Sequence, residues 1–215
     1  MISERNIRQV IGILEQDVRK YDEPMSEKIA RSYRRPFFVL VSGILSSRTK
    51  DELTEEVSRR LFGKIRKPSD LVRIRGNELS RLIYPVGFYR TKARHLKLAG
   101  EALIRDFRGR VPDSMAELLE LPGVGRKIAS LVLITAFHKD AICVDTHVHR
   151  IVNRWRYVRT RSPEETEMKL KEKLPRLLWQ RINNILVLYG KNICKPVGPL
   201  CGQCRINRLC PSSRA

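Results

Sequence analysis

The chain has 215 residues, of which 42% are hydrophobic, so it is long enough and apolar enough to bury a substantial globular core. It carries 43 lysine and arginine residues against 23 aspartate and glutamate residues, a formal net charge of +20. This excess favours a polyanionic partner, with nucleic acid as the first candidate. Heat adaptation explains the excess less well, because it raises charges of both signs.

No run of about 18 apolar residues occurs, and the N-terminus MISERNIRQV lacks the apolar core of a signal peptide. We therefore expect an intracellular protein, in the cytoplasm or nucleoid, with no membrane partner. In such a reducing compartment, clustered cysteines favour metal ligation over disulfides.

Apolar residues recur at helical spacing along most of the chain. The first stripe is Ile7, Val10, Ile11, Leu14 and Val18, and similar stripes occur at 51–62, 92–107 and 176–189. No alternating strand pattern competes with them, so the sequence predicts an all-α protein of about ten helices. The first helix has no apolar partner nearby in the sequence, and we expect it to pack with the C-terminal helices.

Residues 115–137, MAELLELPGVGRKIASLVLITAF, predict a helix, a four-residue turn and a second helix. Gly123 and Gly125 either only make the turn or also expose its amides to an anion such as a DNA phosphate. The stretch is not a nucleotide-binding P-loop, because the four-residue gap and the Gly-Lys-Ser/Thr ending are missing.

Lys127 falls in the first turn of the second predicted helix. There the positive end of the helix dipole disfavours an ammonium charge, and burial together with the neighbouring Arg126 can lower the pKa of the lysine further. An unprotonated lysine is a nucleophile that can form a Schiff base with a sugar carbon. A contact with phosphate or solvent is the alternative, and these residues alone leave both open.

Asp145 stands directly before THVHRIV, where it is predicted to be a helix N-cap. The helix from Lys127 to His138 rises about 17 Å, and residues 139–145, if extended, span about 20 Å, so the chain can return to the level of Lys127. Capping and catalysis are compatible roles for this carboxylate. Further along, residues 162–165 predict a capping box with Pro163 at the first helical position.

Four of the five cysteines form a C-x6-C-x2-C-x5-C motif, made of Cys194, Cys201, Cys204 and Cys210. Four thiolates in one short loop can enclose a [4Fe-4S] cluster, whereas zinc sites usually contain two close pairs and only one pair exists here. The spacing therefore favours the cluster over zinc and over metal-free structural cysteines. Cys143, alone between Ile142 and Val144, is predicted to be a small core residue.

LPGVGRKIA, VDTHVHR and the cysteine motif, in this order, resemble the endonuclease III family of helix-hairpin-helix DNA glycosylases, from about residue 30 to Cys210. The resemblance implies a six-helix barrel domain with the helix-hairpin-helix motif at 29–138, and a helical iron–sulfur cluster domain formed by 1–28 and 139–215. It implies a base-excision repair enzyme that removes oxidised or damaged pyrimidines from duplex DNA. A monomer would bind double-stranded DNA with damaged bases or abasic sites, and would cleave abasic sites by β-elimination.

The same resemblance implies roles for single residues. Lys127 would attack C1′ of an extruded nucleotide, and Asp145 would stabilise positive charge on the sugar. LSSRTKD at 45–51 and VGFYRTKA at 86–93 are similar to segments that enter the DNA, with Phe88 as a wedge and Arg48 where the family commonly carries Gln. A core position for Phe88 and a surface phosphate contact for Arg48 are the alternatives. The candidate DNA contacts are Arg48, Phe88, Gly123, Val124, Gly125, Arg126 and Lys195.

Three other functions would use some of these features. Thymine or uracil mismatch glycosylases are similar, but carry a residue that cannot form a Schiff base, such as Tyr or Ser, where this chain has Lys127. A non-enzymatic DNA-binding protein would use only the hairpin and the basic surface. An iron–sulfur electron carrier is poorly supported, because nothing in the sequence suggests a second cofactor.

Overall fold

The computed structural model describes residues 1–23, 28–29, 32–33 and 35–214. These residues form α-helices and short 3₁₀ helices without any strand, which confirms the all-α prediction. The chain divides into two compact units, one of Met1–Pro24 with Asp140–Ala215 and the other of Met25–Lys139. None of the helices in the described ranges is long and apolar enough to cross a membrane.

Eleven α-helices follow one another in the described part of the chain. They are α1 Ile7–Val18, α2 Pro36–Ser46, α3 Asp51–Phe62, α4 Pro68–Arg73, α5 Gly76–Ile83, α6 Tyr89–Phe107, α7 Met115–Glu120, α8 Arg126–Phe137, α9 Thr146–Arg154, α10 Pro163–Lys173 and α11 Ile182–Asn192. Short 3₁₀ helices occur at Arg176–Leu178, Cys201–Gln203 and Asn207–Leu209.

Helix α2 lies at the centre of the unit of residues 25–139. Its sequence PFFVLVSGILS is apolar on nearly every side, and residues 37–45 are all buried, as expected for a helix surrounded by others. It packs against α3, α6 and α8. A Cβ atom at Gly43 would lie 3.0 Å from Ile128 Cγ2, so the glycine lets α8 approach closely. This packing fixes the helix that begins with Arg126 and Lys127.

Helix α1 packs in the unit that the two ends of the chain form together. Its buried residues Ile7, Val10, Ile11, Leu14 and Val18 share one core with residues of α9, α10 and α11. This confirms the prediction that the first helix packs with the C-terminal helices. Cys143 is 1% exposed, in agreement with its predicted place in the core.

Ser162 begins α10, as the sequence predicts. Its Oγ accepts a hydrogen bond from the Glu165 N–H at 3.1 Å, and Pro163 is the first helical residue. The Glu165 carboxylate accepts from the N–H of Arg161 at 2.8 Å, one residue before the cap. In a capping box the Glu165 carboxylate would accept from the N–H of Ser162, whereas here it accepts from the N–H of Arg161, one position earlier. The N–H groups of Arg161 and Glu165 therefore both have an acceptor.

Candidate functional site

The turn between α7 and α8 has a geometry that requires glycine. Gly123 has a φ of +82°, and a Cβ atom there would lie 2.8 Å from the Cβ of His95. Gly125 is the N-cap of α8 with a φ of −100°, and a Cβ atom there would meet nothing within 4 Å. Both glycines are exposed. The turn thus presents bare backbone next to the positive end of α8.

Val124 anchors this turn from the inside. Its side chain is 7% exposed, and its N–H donates to the carbonyl oxygen of Leu121 at 3.0 Å. An anion at the turn would therefore meet the amides of Gly123 and Gly125, while Val124 supports them from the core.

Lys127 is the second residue of α8, as predicted, and its side chain is exposed. The helix behind it is held firmly, because residues 129–135 are all buried. Because its buried residues already hold the helix in place, little further freedom of motion is lost when an exposed lysine on this helix contacts a substrate. Arg126, the first residue of α8, is half-buried beside it.

Asp145 is half-buried and caps α9, as predicted. Its Oδ1 accepts hydrogen bonds from the N–H groups of His147 and Val148, both at 2.9 Å. These bonds fix the orientation of the carboxylate at the start of the helix. Because both bonds end on Oδ1, the second oxygen, Oδ2, is not used for capping.

Arg48 and Phe88, predicted to act at an extruded base, lie against each other. The guanidinium carbon is 5.4 Å from the ring centroid, a cation–π contact. Phe88 precedes α6 and is 61% exposed, so the structure rules out a core position for it. Their φ angles are +52° and +57°, a conformation that costs about 1–3 kcal/mol in a residue other than glycine and persists where neighbours hold it.

The sequence did not predict a role for Lys92, although it lies beside this pair. Lys92 is 5% exposed, and its Nζ donates to the carbonyl oxygens of Leu45 and Ser47, both at 2.6 Å, and to Thr49 Oγ1 at 2.8 Å. Burial lowers the pKa of its ammonium group to about 8. A signal was present in the sequence, because Lys92 stands four residues before Leu96 on the apolar face of α6.

The four C-terminal cysteines line one cavity in the unit formed by the chain ends. The cavity holds about 390 Å³ of empty space, partly open to solvent, and is also lined by Trp155, Tyr189 and Ile193. Each of these cysteines is half-buried with a free thiol. In the described ranges, no three Cys, His, Asp or Glu side chains are arranged as ligands of one metal ion.

The chemistry of this cavity fits a positively charged group held by thiolates. Burial raises the pKa of the Cys204 and Cys210 thiols, which opposes their ionisation. A metal centre would reverse that effect, because its charge stabilises the coordinating thiolates. Four sulfurs that share one cavity therefore fit a cysteine-bound centre.

Two arginines of α9 hold the segment at the first of these cysteines. Arg154 Nη1 donates to Cys194 Sγ at 3.3 Å and to the Lys195 carbonyl oxygen at 2.7 Å. Arg150 Nη2 donates to the carbonyl oxygens of Cys194 at 2.8 Å and Gly190 at 3.1 Å. The sequence did not predict these contacts, because helical spacing does not reveal partners far along the chain. They leave Lys195 exposed at the start of the loop.

Comparison with known proteins gives the class to which this fold and these residues belong. Residues 41–176 match the HhH-GPD superfamily of base excision DNA repair proteins, and the match covers more than half of the chain. The chain belongs to this superfamily.

Within the superfamily, the chain is a member of the endonuclease III family. Endonuclease III of Thermotoga maritima is 46% identical over an alignment of 194 residues, and the match covers 87% of this chain and 91% of that protein. The solved structure of a trapped endonuclease III–DNA covalent intermediate is similar with a TM-score of 0.89 and 33% identity, over 99% of this chain and 98% of that one. A thermostable thymine-DNA glycosylase structure is similar with a TM-score of 0.83 and 25% identity, over 98% and 96% of the two chains.

Proposed function

We propose that this protein is a bifunctional DNA glycosylase that removes oxidised or damaged pyrimidines from duplex DNA and then cleaves the strand at the abasic site. The observation that carries the proposal is the position of Lys127, exposed in the first turn of an anchored helix and directly after an exposed glycine turn. Membership of the endonuclease III family supports the same activity, and the greater identity to endonuclease III disfavours the mismatch glycosylase.

Lys127 is the proposed nucleophile. Its amine nitrogen bonds to C1′ of the extruded nucleotide and gives up a proton, while the bond from C1′ to the base breaks. The base leaves with the bonding electrons and takes up a proton. Opening of the sugar ring then gives a Schiff base between Nζ and C1′. Loss of a proton from C2′ allows the C3′–O bond to break, and this β-elimination cleaves the strand.

Asp145 is proposed to stabilise the positive charge that develops on the sugar as the base leaves. Two backbone amides hold its carboxylate, so little reorganisation is needed when that charge appears. Asp145 is therefore assigned chiefly to the transition state of base release.

The proposed substrate is double-stranded DNA with a damaged base or an abasic site, bound by one copy of the chain. Phe88 would fill part of the space that the extruded base leaves, and Arg48 would face the base on the opposite strand. Extrusion costs a few kcal/mol in lost stacking, and an inserted aromatic ring offsets part of that cost. The proposed phosphate contacts are Gly123, Gly125, Arg126 and Lys195, with Val124 as their support.

We assign a [4Fe-4S] cluster to Cys194, Cys201, Cys204 and Cys210, with one thiolate for each iron. The shared cavity of the four sulfurs supports this assignment. When bound, the cluster would supply four iron–sulfur bonds that hold the loop in shape. A brown protein with iron in elemental analysis is expected, and zinc in place of iron would contradict the assignment.

Borohydride trapping on a duplex with one thymine glycol tests the chemistry. The wild-type protein should form a covalent complex and cleave the strand, because borohydride reduces the Schiff base to a stable amine. Lys127→Ala should lose trapping and cleavage. Lys64→Ala, which removes another exposed lysine of the same unit, should keep both.

The outcomes separate the candidate functions. Strand cleavage that survives Lys127→Ala would disprove the catalytic assignment. Base release by the wild-type protein without trapping would favour the mismatch glycosylase instead. A panel of duplexes with single defined lesions, scored for base release, then gives the preferred lesion, and sedimentation gives the number of copies bound.

A further inference from the structure

The segments that carry Arg48 and Phe88 are joined through one residue of α6. The N–H of Lys92 donates to the Phe88 carbonyl oxygen at 3.0 Å, which begins the helix directly after the exposed ring. Its side chain reaches the other segment, where the acceptors Leu45, Ser47 and Thr49 surround Arg48 in sequence. Lys92 thus touches both segments, one through its backbone and one through its side chain.

The side-chain contacts of Lys92 match an ammonium group closely. An ammonium group has three N–H donors, and the structure supplies three oxygen acceptors within 2.8 Å of Nζ. All three acceptors are uncharged, so within the described part of the chain the buried ammonium group is held by neutral oxygens and not by a carboxylate. Such burial is costly, which makes an incidental lysine at this position improbable.

A second link between the two segments depends on the same oxygen. Thr49 Oγ1, which accepts from Lys92, also accepts from the N–H of Gly87 at 3.2 Å. A Cβ atom at Gly87 would lie 2.7 Å from the Arg48 carbonyl oxygen, so glycine permits this close approach. Arg48 and Phe88 are thereby held in left-handed conformations that place guanidinium and ring in contact.

We propose that Lys92 is a positioning residue, which holds Arg48 and Phe88 together in the conformation that opens the DNA helix at a damaged base. It does not touch the reacting atoms and acts through the two residues that it positions. This inference rests on the proposed function. Its consequence is selective, because a positioned pair matters most where a stacked and paired base must be extruded, and less where the base is already loose.

The test compares two duplexes that carry the same lesion, one fully paired and one with the lesion in a single-nucleotide bulge. Lys92→Met removes the ammonium group and keeps most of the side-chain volume. We expect single-turnover excision from the paired duplex to be about tenfold slower, which corresponds to an increase of about 1.4 kcal/mol in activation free energy. Excision from the bulge should change by less than about twofold. Lys97→Met is the matched control, because Lys97 lies on the same helix and donates to the Ile74 carbonyl oxygen instead.

A second measurement follows the opening of the DNA helix directly. With 2-aminopurine opposite the lesion, fluorescence rises when the base loses its stacking partner. Lys92→Met should slow and reduce this rise, whereas Lys97→Met should not. Equal loss of excision on both duplexes, or an unchanged fluorescence rise, would overturn the proposal. Failure of the wild-type protein to excise the lesion from either duplex would overturn the proposed function, and the fluorescence would still report whether Lys92 governs opening of the DNA helix.

Thr49→Val provides an independent variant, because it leaves the lysine in place and removes the oxygen that Lys92 and Gly87 share. It should lower excision on the paired duplex and spare the bulge, in the same direction as Lys92→Met. If Lys92→Met does not fold, this variant decides the question alone, and equal effects on the two duplexes would count against the proposal.

Discussion

At the scale of single residues, the buried ammonium group of Lys92 sets an unusual pH dependence of stability. Its pKa is about 8 in the folded protein, against a usual value of 10.5. Between these two values the unfolded chain keeps a proton that the folded chain has released, so the free energy of unfolding rises with pH. Across the whole window the contribution is about 3 kcal/mol, at about 1.4 kcal/mol for each pKa unit.

Denaturant unfolding of the wild-type protein and Lys92→Met at pH 7 and pH 9.5 isolates this contribution, because other titrating groups cancel in the difference. The wild-type protein should gain about 2 kcal/mol relative to the variant between these pH values. Parallel pH profiles would show that the folded protein does not disfavour the charged form of Lys92.

Asp145 has two proposed roles, and a conservative substitution separates them. Asp145→Asn keeps an oxygen that can accept from His147 and Val148, so the free energy of unfolding should change by less than about 0.5 kcal/mol. Base excision should fall about 100-fold or more, because the negative charge that is proposed to stabilise the developing cation is gone. Urea unfolding and single-turnover excision on one duplex measure the two effects.

Ser162→Ala is the control for Asp145, since Ser162 caps α10 without a proposed role in catalysis. It should lose about 1 kcal/mol of stability and keep full excision. An Asp145→Asn protein that remains active would reduce Asp145 to a structural cap.

Residue roles were predictable where they depend on near neighbours in sequence. Asp145 and Ser162 were predicted as caps because each precedes a helical pattern, and Cys143 as core because apolar residues flank it. The left-handed conformation of Arg48 was not predictable, since it is imposed by contacts with residues about 40 positions away. The helical stripe pointed to burial of Lys92, but its three acceptors depend on the fold.

At the scale of elements, the helix-hairpin-helix turn offers two glycines with different requirements. Gly123→Ala should destabilise the protein by about 1–3 kcal/mol, because its positive φ and the nearby His95 leave no place for a methyl group. Gly125→Ala should have little effect on thermal unfolding, because any residue can adopt the backbone conformation of Gly125 and, beyond its two chain neighbours, no atom of the described residues lies within 4 Å of the added methyl group. Thermal unfolding of the two variants measures this contrast.

The same pair tests the proposed phosphate contact. Gly125→Ala should lower the affinity for duplex DNA, measured by fluorescence anisotropy, because a methyl group would keep a phosphate away from the turn amides. A folded Gly125→Ala protein with unchanged affinity would show that the turn is structural only.

Two of the apolar stripes each predicted one helix. The stripe at 51–62 corresponds to α3, and the stripe at 92–107 lies within α6. The stripe at 176–189 proved to be a 3₁₀ turn at 176–178 followed by α11 from Ile182. Apolar side chains of the 3₁₀ turn and of α11 pack in the same core, so the apolar stripe continues where the helix is interrupted. The stripe alone therefore does not show that two separate elements are present.

At the scale of the whole molecule, the predicted association of the first helix with the C-terminal helices follows from unmatched apolar surface. Helix α1 carries five buried residues, and among the described residues they share one core with side chains of α9, α10 and α11 from the other end of the chain. The predicted boundaries, 29–138 against 1–28 with 139–215, stay a prediction. A boundary between domains depends on contacts between distant residues, which the composition of the chain does not record.

The net charge of +20 belongs to the whole molecule and predicts a steep salt dependence of DNA binding. If about six phosphates are contacted, the logarithm of the association constant should fall with a slope of about −5 against the logarithm of salt concentration, since each contact releases condensed counterions. Anisotropy titrations of an undamaged duplex at several salt concentrations measure this slope. A slope near zero would mean that the positive charge serves solubility alone.

Single substitutions test whether the proposed phosphate contacts contribute to this salt dependence. Arg126→Gln should reduce it by about one unit, because one phosphate contact is lost, whereas Lys64→Gln should leave it unchanged. Single-turnover excision at saturating protein should change little over the same range of salt. Counterions are released when DNA binds, before the base is extruded, so salt should act on affinity and leave the chemistry proposed for Lys127 unaffected. An excision rate that fell in parallel with affinity would place the salt-sensitive contacts in the extrusion step instead.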